Sequence, residues 1–134
     1  MLLGTNGQLL LTYFYKTNRI NDQFIPTNPS AIKCLYVSTD VPFTMDSDWY
    51  SVGVLIYELL LGIRFFKFHQ GSIWNYHELQ YPESNILSND AKDLLHRLII
   101  LPAETRLNYD DLIEHSFFAN SDWFEIERVG LINI

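Results

Sequence analysis

The chain has 134 residues, 48% hydrophobic and 15% aromatic, with 16 acidic against 9 basic residues. This length suits one domain, and the apolar fraction is typical of a folded chain rather than a disordered one. The net charge of −7 argues against binding to nucleic acid or to an anionic membrane surface, because both need clustered Lys and Arg. The one cysteine, Cys34, excludes an internal disulfide and favours a reducing compartment, so we expect a cytoplasmic protein.

No stretch of the sequence predicts a membrane-spanning helix or a signal peptide. The longest apolar stretch, residues 52–66, contains Glu58 and Arg64. It is also shorter than the ~20 residues that a spanning helix needs. The first residues lack a basic region, and the polar turn at 4–8 interrupts their apolar run. Composition therefore predicts an acidic, soluble globular domain, and no particular function.

The first predicted element is a β-hairpin over residues 1–15. Two apolar arms, Leu2-Leu3 and the run 9–15, flank an Asn-Gly pair at 6–7, and both of these residue types tolerate the positive φ of a tight turn. The two glycines also fit the GxxG loop of an RNA-binding module. No basic residues surround that loop, so a plain turn is the preferred interpretation.

Residues 16–41 predict an irregular loop. Asn, Asp, Pro and Ser punctuate this segment, and no apolar period of 2 or 3.6 residues persists in it. A stretch of about 25 residues without secondary structure is unusual in a compact domain. We therefore expect the loop to be either functional or disordered.

The strongest predicted element is a helix over residues 46–62, which is apolar almost all around. Gly62 suits the C-terminal end of this helix, because helices commonly end at a glycine in the left-handed conformation. A helix without a polar face belongs in the middle of a core, with neighbours around it. Gly53 costs the helix ~1 kcal/mol relative to Ala, which is tolerable where another backbone packs against that position. A buried strand over residues 52–57 is the alternative interpretation.

Residues 65–82 are aromatic and irregular, whereas residues 88–123 predict the closing helices of the domain. One helix begins at Ser88 and is stopped by Pro102. Its apolar residues follow the spacing of one helical face: Ala91, Leu94, Leu95, Leu98 and Leu101. A short helix begins near Asn108, and acidic residues favour its positive end. Three aromatic residues after it are expected to fill the core: Phe117, Phe118 and Trp123.

These segments, mainly α with a short N-terminal β-hairpin, follow an order that resembles the C-terminal lobe of a protein kinase. Residues 48–59, DWYSVGVLIYEL, resemble the kinase central helix, D-x-W-S-x-G-V-x-x-Y-E-L. Residues 93–118 resemble the closing pattern of D-L-L, L-x-x-x-P-x-x-R-L and H-P-F-F, and Asp122-Trp123 is typical of the AGC branch of serine/threonine kinases. Within that branch, LTYFY at 11–15 is similar to a variant of L-T-D-F-G in the ribosomal protein S6 kinase delta-1 and S6-kinase-like group.

The resemblance implies that the catalytic apparatus is absent from these residues. A kinase needs a glycine-rich loop, a lysine paired to a glutamate, a catalytic Asp and Asn, and a metal-binding Asp before Phe-Gly. The resemblance places all but the last before residue 1, and Tyr13 occupies the position of that Asp. Tyr13 is either a plug of the metal site or an unconstrained position, and a phenol is a poor Mg²⁺ ligand in both cases. Leu2 and Tyr13 are thus degenerate positions of the family's ATP site, and we expect no ATP or Mg²⁺ and no catalytic or metal-binding residue. The four histidines lack metal-ligand spacing and are expected at the surface or hydrogen-bonded.

The resemblance also implies structural roles for six residues. The family's A-P-E glutamate pairs with an arginine in a buried ion pair, and Asp40 and Arg106 hold these two positions. Asp48 matches an aspartate that receives catalytic-loop amides in the family, and here we expect it to serve at the helix start or to stay hydrated. Three residues match positions of the family's internal hydrophobic columns and are expected in the core: Phe14, Leu55 and Leu59.

Three interpretations of the function stay open. The first is a truncated, non-catalytic lobe whose 52–61 helix exposes apolar surface to a protein partner or to a second copy of the chain. The second is a partial record of an active ATP-dependent serine/threonine kinase, which an in-frame upstream His-Arg-Asp motif would indicate. The third is an unrelated small mixed domain whose motifs agree by accident.

Overall fold

A computed structural model of the chain describes residues 2–5, 9–10, 17–20, 23–26, 45–65, 69, 78–83 and 86–129. They form four short strands followed by four helices: β1 (Leu2–Leu3), β2 (Leu9–Leu10), β3 (Thr17–Ile20), β4 (Gln23–Pro26), α1 (Met45–Leu61), α2 (Asn89–Ile99), α3 (Tyr109–Ile113) and α4 (Trp123–Val129). Short 3-10 turns at Ala103–Thr105 and Ser116–Phe118 flank α3. The predicted fold class, mainly α with an N-terminal hairpin, is confirmed. None of the helices among these residues is long and apolar enough to cross a membrane.

The N-terminal hairpin is made by β1 and β2. The two strands pair antiparallel, with Leu2 opposite Leu10 and Leu3 opposite Leu9. The predicted Asn-Gly pair at 6–7, between the strands, lies outside the described residues. Leu9 and Leu10 are 63% and 52% exposed, so this hairpin depends mainly on its backbone hydrogen bonds.

The prediction of an irregular loop over residues 16–41 is wrong for its first part. β3 and β4 pair antiparallel, and Ile20 lies opposite Gln23 at the end of the ladder. The two residues between the strands, Asn21 and Asp22, lie outside the described residues. The apolar periodicity did not reveal the hairpin because backbone hydrogen bonds form between strands whatever their side-chain pattern. Residues 27–41 lie outside the described residues.

The core of the described chain lies where α1 packs against α2. The buried residues of the two helices are spaced three or four apart, so that each helix turns one face inward: Tyr50, Val54 and Tyr57 in α1, and Ala91, Leu94, Leu95, Leu98 and Ile99 in α2. Gly53 lies at the point of closest approach. A Cβ atom there would lie 2.7 Å from Cβ of Leu98 and 2.8 Å from Cγ1 of Ile99. Glycine therefore allows the two helices to approach each other as closely as they do.

The C-terminal end of α1 is set by Gly62, which has a φ of 65°. Its N–H donates to the carbonyl of Glu58 at 2.8 Å, which is the hydrogen bond of a left-handed helix cap. The carboxylate of Glu58 also accepts the N–H of Phe65 at 2.9 Å. Glu58 thus helps to define both the end of α1 and the path of the chain beyond it.

Capping side chains define where the later helices begin. Oγ of Ser88 and Oδ1 of Asn108 each accept the N–H three residues further on, both at 3.1 Å, at the starts of α2 and α3. The closing helices extend past the predicted limit at residue 123, because α4 begins at that residue and continues to Val129. Oδ1 of Asp122 accepts the N–H of Glu125 at 2.9 Å, so the signal for this helix was an N-cap at its first turn.

Candidate functional site

α1 has one side that does not face α2. This side carries Val52, Leu55 and Leu59, which are spaced three and four residues apart. Val52 and Leu55 are half-buried, whereas Leu59 is 72% exposed and the neighbouring Leu60 is 38% exposed. Leu59 and Leu60, which we call the leucine edge, therefore present two apolar side chains to solvent at the C-terminal end of α1.

The position of Leu59 corrects the expectation that it lies in the core. Successive helical residues are rotated by about 100°, so Leu59 lies about 200° around the axis from Tyr57. Tyr57 is fully buried, and Leu59 consequently lies on the opposite side of the helix. Leu55, the second of the three core candidates, is half-buried. Phe14, the third, lies outside the described residues.

Asp48 is the fourth residue of α1 and lies on the same side of the helix as Leu59, at the other end. The side chain is exposed, and the partial loss of hydration raises the pKa of its carboxyl above the usual value. A negative charge is favourable near the N-terminus of a helix because the backbone N–H groups point toward it. A structural role for Asp48 at the helix start stays a prediction.

Two residues stand at positions that the kinase resemblance assigns to the family's nucleotide site, Leu2 and Tyr13. Leu2 lies in β1 opposite Leu10, and an alkyl side chain offers no ligand oxygen. Tyr13 lies outside the described residues, and its phenol replaces the carboxylate that Mg²⁺ prefers. Within the described ranges, no three His, Cys, Asp or Glu side chains come together in a group that could hold a metal ion.

Arg106 is buried beside α1, at the position of the family's ion-pair arginine. Its Nη2 donates to the carbonyl of Leu101 at 3.4 Å, and its Cζ lies 5.5 Å from the centre of the Tyr50 ring. A guanidinium over an aromatic face is attracted by the ring electrons. Burial raises the pKa of Tyr50 to about 12, although the charge of Arg106 acts in the opposite direction. Asp40 lies outside the described residues, so the Asp40–Arg106 pair stays a prediction.

A buried aromatic cluster at the C-terminal end of α1 was missed by the sequence analysis. The ring of His69 is stacked on Phe65, with 4.1 Å between ring centres, and Tyr57 meets it edge-on at 5.6 Å. His69 has no exposed surface. The hydroxyl of Tyr57 donates to the carbonyl of Gln80 at 2.6 Å. Side chains thus join the end of α1 to the segment 78–83. The high aromatic content of residues 65–82 was the one feature of the sequence that could have indicated this cluster.

A polar cluster, separate from the aromatic cluster, joins α2 to the segment after α3. Nε2 of His115 lies 3.0 Å from Oδ2 of Asp93, and Nε of Arg97 lies 2.9 Å from the same oxygen. Nδ1 of His115 accepts the N–H of Phe117 at 3.2 Å, so the ring proton is on Nε2. The expectation that the histidines are at the surface or hydrogen-bonded is confirmed for both His69 and His115.

The arrangement of these elements is that of a protein kinase C-terminal lobe. Three residues of the closing pattern, Asp93, Arg106 and His115, all hold their neighbours in place through hydrogen bonds or ion pairs. The family model for the protein kinase domain matches residues 29–118, two thirds of the sequence. The chain belongs to the protein kinase family. An unrelated domain with accidental motif matches, the third interpretation, is therefore wrong.

Among curated proteins, relatives of the AGC type match most of the chain. It is 28% identical over 137 residues to human ribosomal protein S6 kinase delta-1, a match that covers 96% of this chain and 12% of that protein. It is 31% identical over 132 residues to mouse ribosomal protein S6 kinase-like 1, covering 92% of this chain and 23% of that protein. It is 35% identical over 146 residues to mouse citron Rho-interacting kinase, covering 96% of this chain and 7% of that protein. The chain thus spans less than a quarter of the length of each of these relatives.

Proposed function

We propose that this chain is a non-catalytic protein kinase lobe, a pseudokinase fragment, that acts as a protein-binding surface in the cytoplasm. The observation that carries the proposal is the 72% exposure of Leu59, at a position that the kinase resemblance assigns to the core. Covering apolar surface is favourable by ~25 cal/mol per Å², so an exposed leucine edge favours association. The cytoplasmic location rests on the single cysteine, which suits a reducing compartment.

The non-catalytic part of the proposal rests on the donors at the nucleotide-site positions. Phosphoryl transfer depends on placing nucleotide, metal and hydroxyl, and on neutralising the charge of the phosphate oxygens. Tyr13 replaces the metal-binding carboxylate, and a phenol with an ordinary pKa near 10 is neutral at pH 7. Tyr13 and the alkyl side chain of Leu2 therefore supply neither charge nor ligands for Mg²⁺.

The substitution Leu59→Glu tests the binding surface. We expect the wild-type chain to self-associate as its concentration rises and to bind a hydrophobic dye, and both effects to decrease in Leu59→Glu because a charge disfavours burial of this edge. Sedimentation velocity and dye fluorescence measure the two effects. Ile86→Glu is the matched control, since Ile86 is 97% exposed but lies outside α1. A monomeric wild-type chain, or equal effects of the two substitutions, would contradict the proposed surface.

The alternative function is that of one part of an active ATP-dependent serine/threonine protein kinase. The observation that favours it is the coverage: proteins named as kinases match 92–96% of this chain, while the chain spans 7–23% of their lengths. In that case ATP and Mg²⁺, which the family uses, would be held by the larger protein. An in-frame upstream sequence with a glycine-rich loop and a His-Arg-Asp motif distinguishes the two functions, because the active kinase requires both motifs.

A further inference from the structure

The hydrogen bonds of His69 define its protonation state. Nδ1 lies 3.0 Å from the carbonyl of Phe65, and Nε2 accepts the backbone N–H of Gln80 at 2.9 Å. Because a carbonyl only accepts and an N–H only donates, the ring proton is on Nδ1 and the lone pair is on Nε2. His69 is therefore neutral, fully buried, and bonded at both ring nitrogens.

Protonation of this ring would be incompatible with the observed contacts. A second ring proton would occupy Nε2 and would face the N–H of Gln80, so the hydrogen bond would be replaced by two opposed donors. The resulting charge would also lie in a buried site, which is costly. Burial accordingly lowers the pKa of His69, although its hydrogen bond to the Phe65 carbonyl acts in the opposite direction.

Titratable and charged groups surround this site on three elements. From α1, Tyr57 meets the ring edge-on, and Glu58 accepts the N–H of Phe65. From the segment 78–83, Tyr81 stacks on Tyr57 at 5.9 Å, and from α2 the Nζ of Lys92 lies 5.7 Å from the centre of the Tyr81 ring. Burial raises the pKa of both tyrosines to about 12, so neither titrates in the acidic range. The histidine is then the group of the aromatic cluster that changes charge on mild acidification.

We propose that His69 is an acid-sensitive latch: protonation of its ring releases the segment 78–83 from the end of α1 while α1 and α2 stay packed. Gln80 is held at both of its backbone groups, its N–H by His69 and its carbonyl by the Tyr57 hydroxyl. The loss of the first bond leaves the second as the remaining hydrogen bond between Gln80 and this cluster. The consequence is an opening at the C-terminal end of α1, next to the leucine edge but independent of whether that edge binds a partner.

The pH range of the opening follows from the lowered pKa. A folded-state pKa below the unfolded value of about 6.5 means that the stabilisation is complete above pH ~6.5 and is lost as the pH falls through the folded-state pKa. Between these two pKa values, each pH unit favours the open form about tenfold, and below the folded-state pKa the dependence levels off. The latch is therefore closed at neutral pH and opens in acid.

Amide hydrogen exchange of the full 134-residue chain tests the latch. We expect the protection factor of the Gln80 amide, corrected for the intrinsic pH dependence of exchange, to fall about tenfold per pH unit in the acidic range. The amides of Leu94, Leu95 and Leu98 in α2 are expected to stay protected over the same range. Constant protection of Gln80 down to about pH 5, or its loss together with the α2 amides, would overturn the proposal.

His69→Gln and His96→Gln form the matched pair of variants. The glutamine at 69 does not titrate, so Gln80 should be less protected at neutral pH and its protection should no longer depend on acid. His96→Gln removes a histidine of α2 outside the aromatic cluster and should keep the wild-type pH dependence. If His69→Gln does not fold, ¹⁵N-histidine spectra of the wild-type chain decide: ring protonation of His69 must coincide with the loss of Gln80 protection, and separate midpoints would refute the latch.

Discussion

Gly53 is the residue on which the α1–α2 packing depends most directly. A glycine inside a helix is unfavourable by ~1 kcal/mol relative to alanine, so helix propensity alone would favour its replacement. The packing opposes this, because an added Cβ would lie 2.7 Å from the Cβ of Leu98, an atom close to the backbone. At this residue the tertiary contact outweighs the local preference.

Gly53→Ala is therefore predicted to lower the free energy of unfolding by ~1–3 kcal/mol, the usual cost of overpacking a core. Chemical denaturation measures this quantity. Leu59→Ala on the same helix is the control, because an exposed side chain can be truncated at a cost within about 0.5 kcal/mol. A Gly53→Ala variant as stable as the wild-type chain would show that α1 and α2 can move apart to admit the added methyl group without loss of stability.

A second prediction at this scale concerns Asp40 and Arg106. Arg106 is buried, and removing one partner of a buried ion pair costs about 3–5 kcal/mol because it leaves an uncompensated charge. We predict that Asp40→Asn and Arg106→Gln each destabilise the fold in this range, and that the double variant costs clearly less than their sum. Unfolding free energies of the four proteins measure the coupling. A coupling energy near zero would mean that the two residues do not pair.

Among the elements, α2 shows how local signals and packing act together. It has 11 residues, and an isolated helix of that length is only marginally stable in water. One face of α2 is buried against α1, and the Ser88 side chain satisfies the N–H of Ala91 at its start. Because both the apolar spacing and the cap are local in sequence, this helix could be predicted from the sequence.

Ser88→Ala is predicted to lower the free energy of unfolding by about 1 kcal/mol, since an N-cap side chain contributes roughly that amount. Thermal or chemical denaturation detects the loss. Ser88→Asn should retain most of the wild-type stability, because asparagine is an equally good cap. Equal destabilisation by both substitutions would attribute the effect to something other than capping.

The molecule as a whole combines a kinase lobe with an altered nucleotide position. Its buried core, the aromatic cluster and the Asp93–His115 pair join α1, α2, the segment 78–83 and the segment after α3. At the positions that the resemblance assigns to the nucleotide site the sequence has Leu2 and Tyr13, which we expect to hold no Mg²⁺-ATP. Any nucleotide binding to the folded chain would raise its stability, so a stability measurement can detect it.

We predict that saturating Mg²⁺-ATP leaves the melting temperature of the 134-residue chain unchanged. A ligand that binds only the folded state must raise the melting temperature by mass action, by an amount equivalent to about 2.7 kcal/mol at one hundred times its dissociation constant. Differential scanning fluorimetry measures the shift, with Mg²⁺ alone and ATP alone as controls. A clear increase, or transfer of phosphate to a peptide, would contradict the non-catalytic assignment.

The sequence by itself determined the features that depend on near neighbours along the chain. The apolar spacing in α2, the caps at Ser88 and Asn108, and the kinase motifs around α1 all lie within short segments, and each has a local physical cause. The resemblance of residues 11–15 to L-T-D-F-G likewise lies within one short motif, and the loss of a metal ligand at Tyr13 stays a prediction.

The tertiary structure decided which surfaces are covered and which buried groups meet. Leu59 is as apolar as Val54, but the direction of packing buries one of them and exposes the other. The hydrogen bond between His69 and Gln80 joins residues 11 apart, neither of which lies in a helix or a strand, so no periodicity could have predicted it. The β3–β4 hairpin could not be predicted from periodicity either, because backbone hydrogen bonds between strands do not require a particular side-chain pattern.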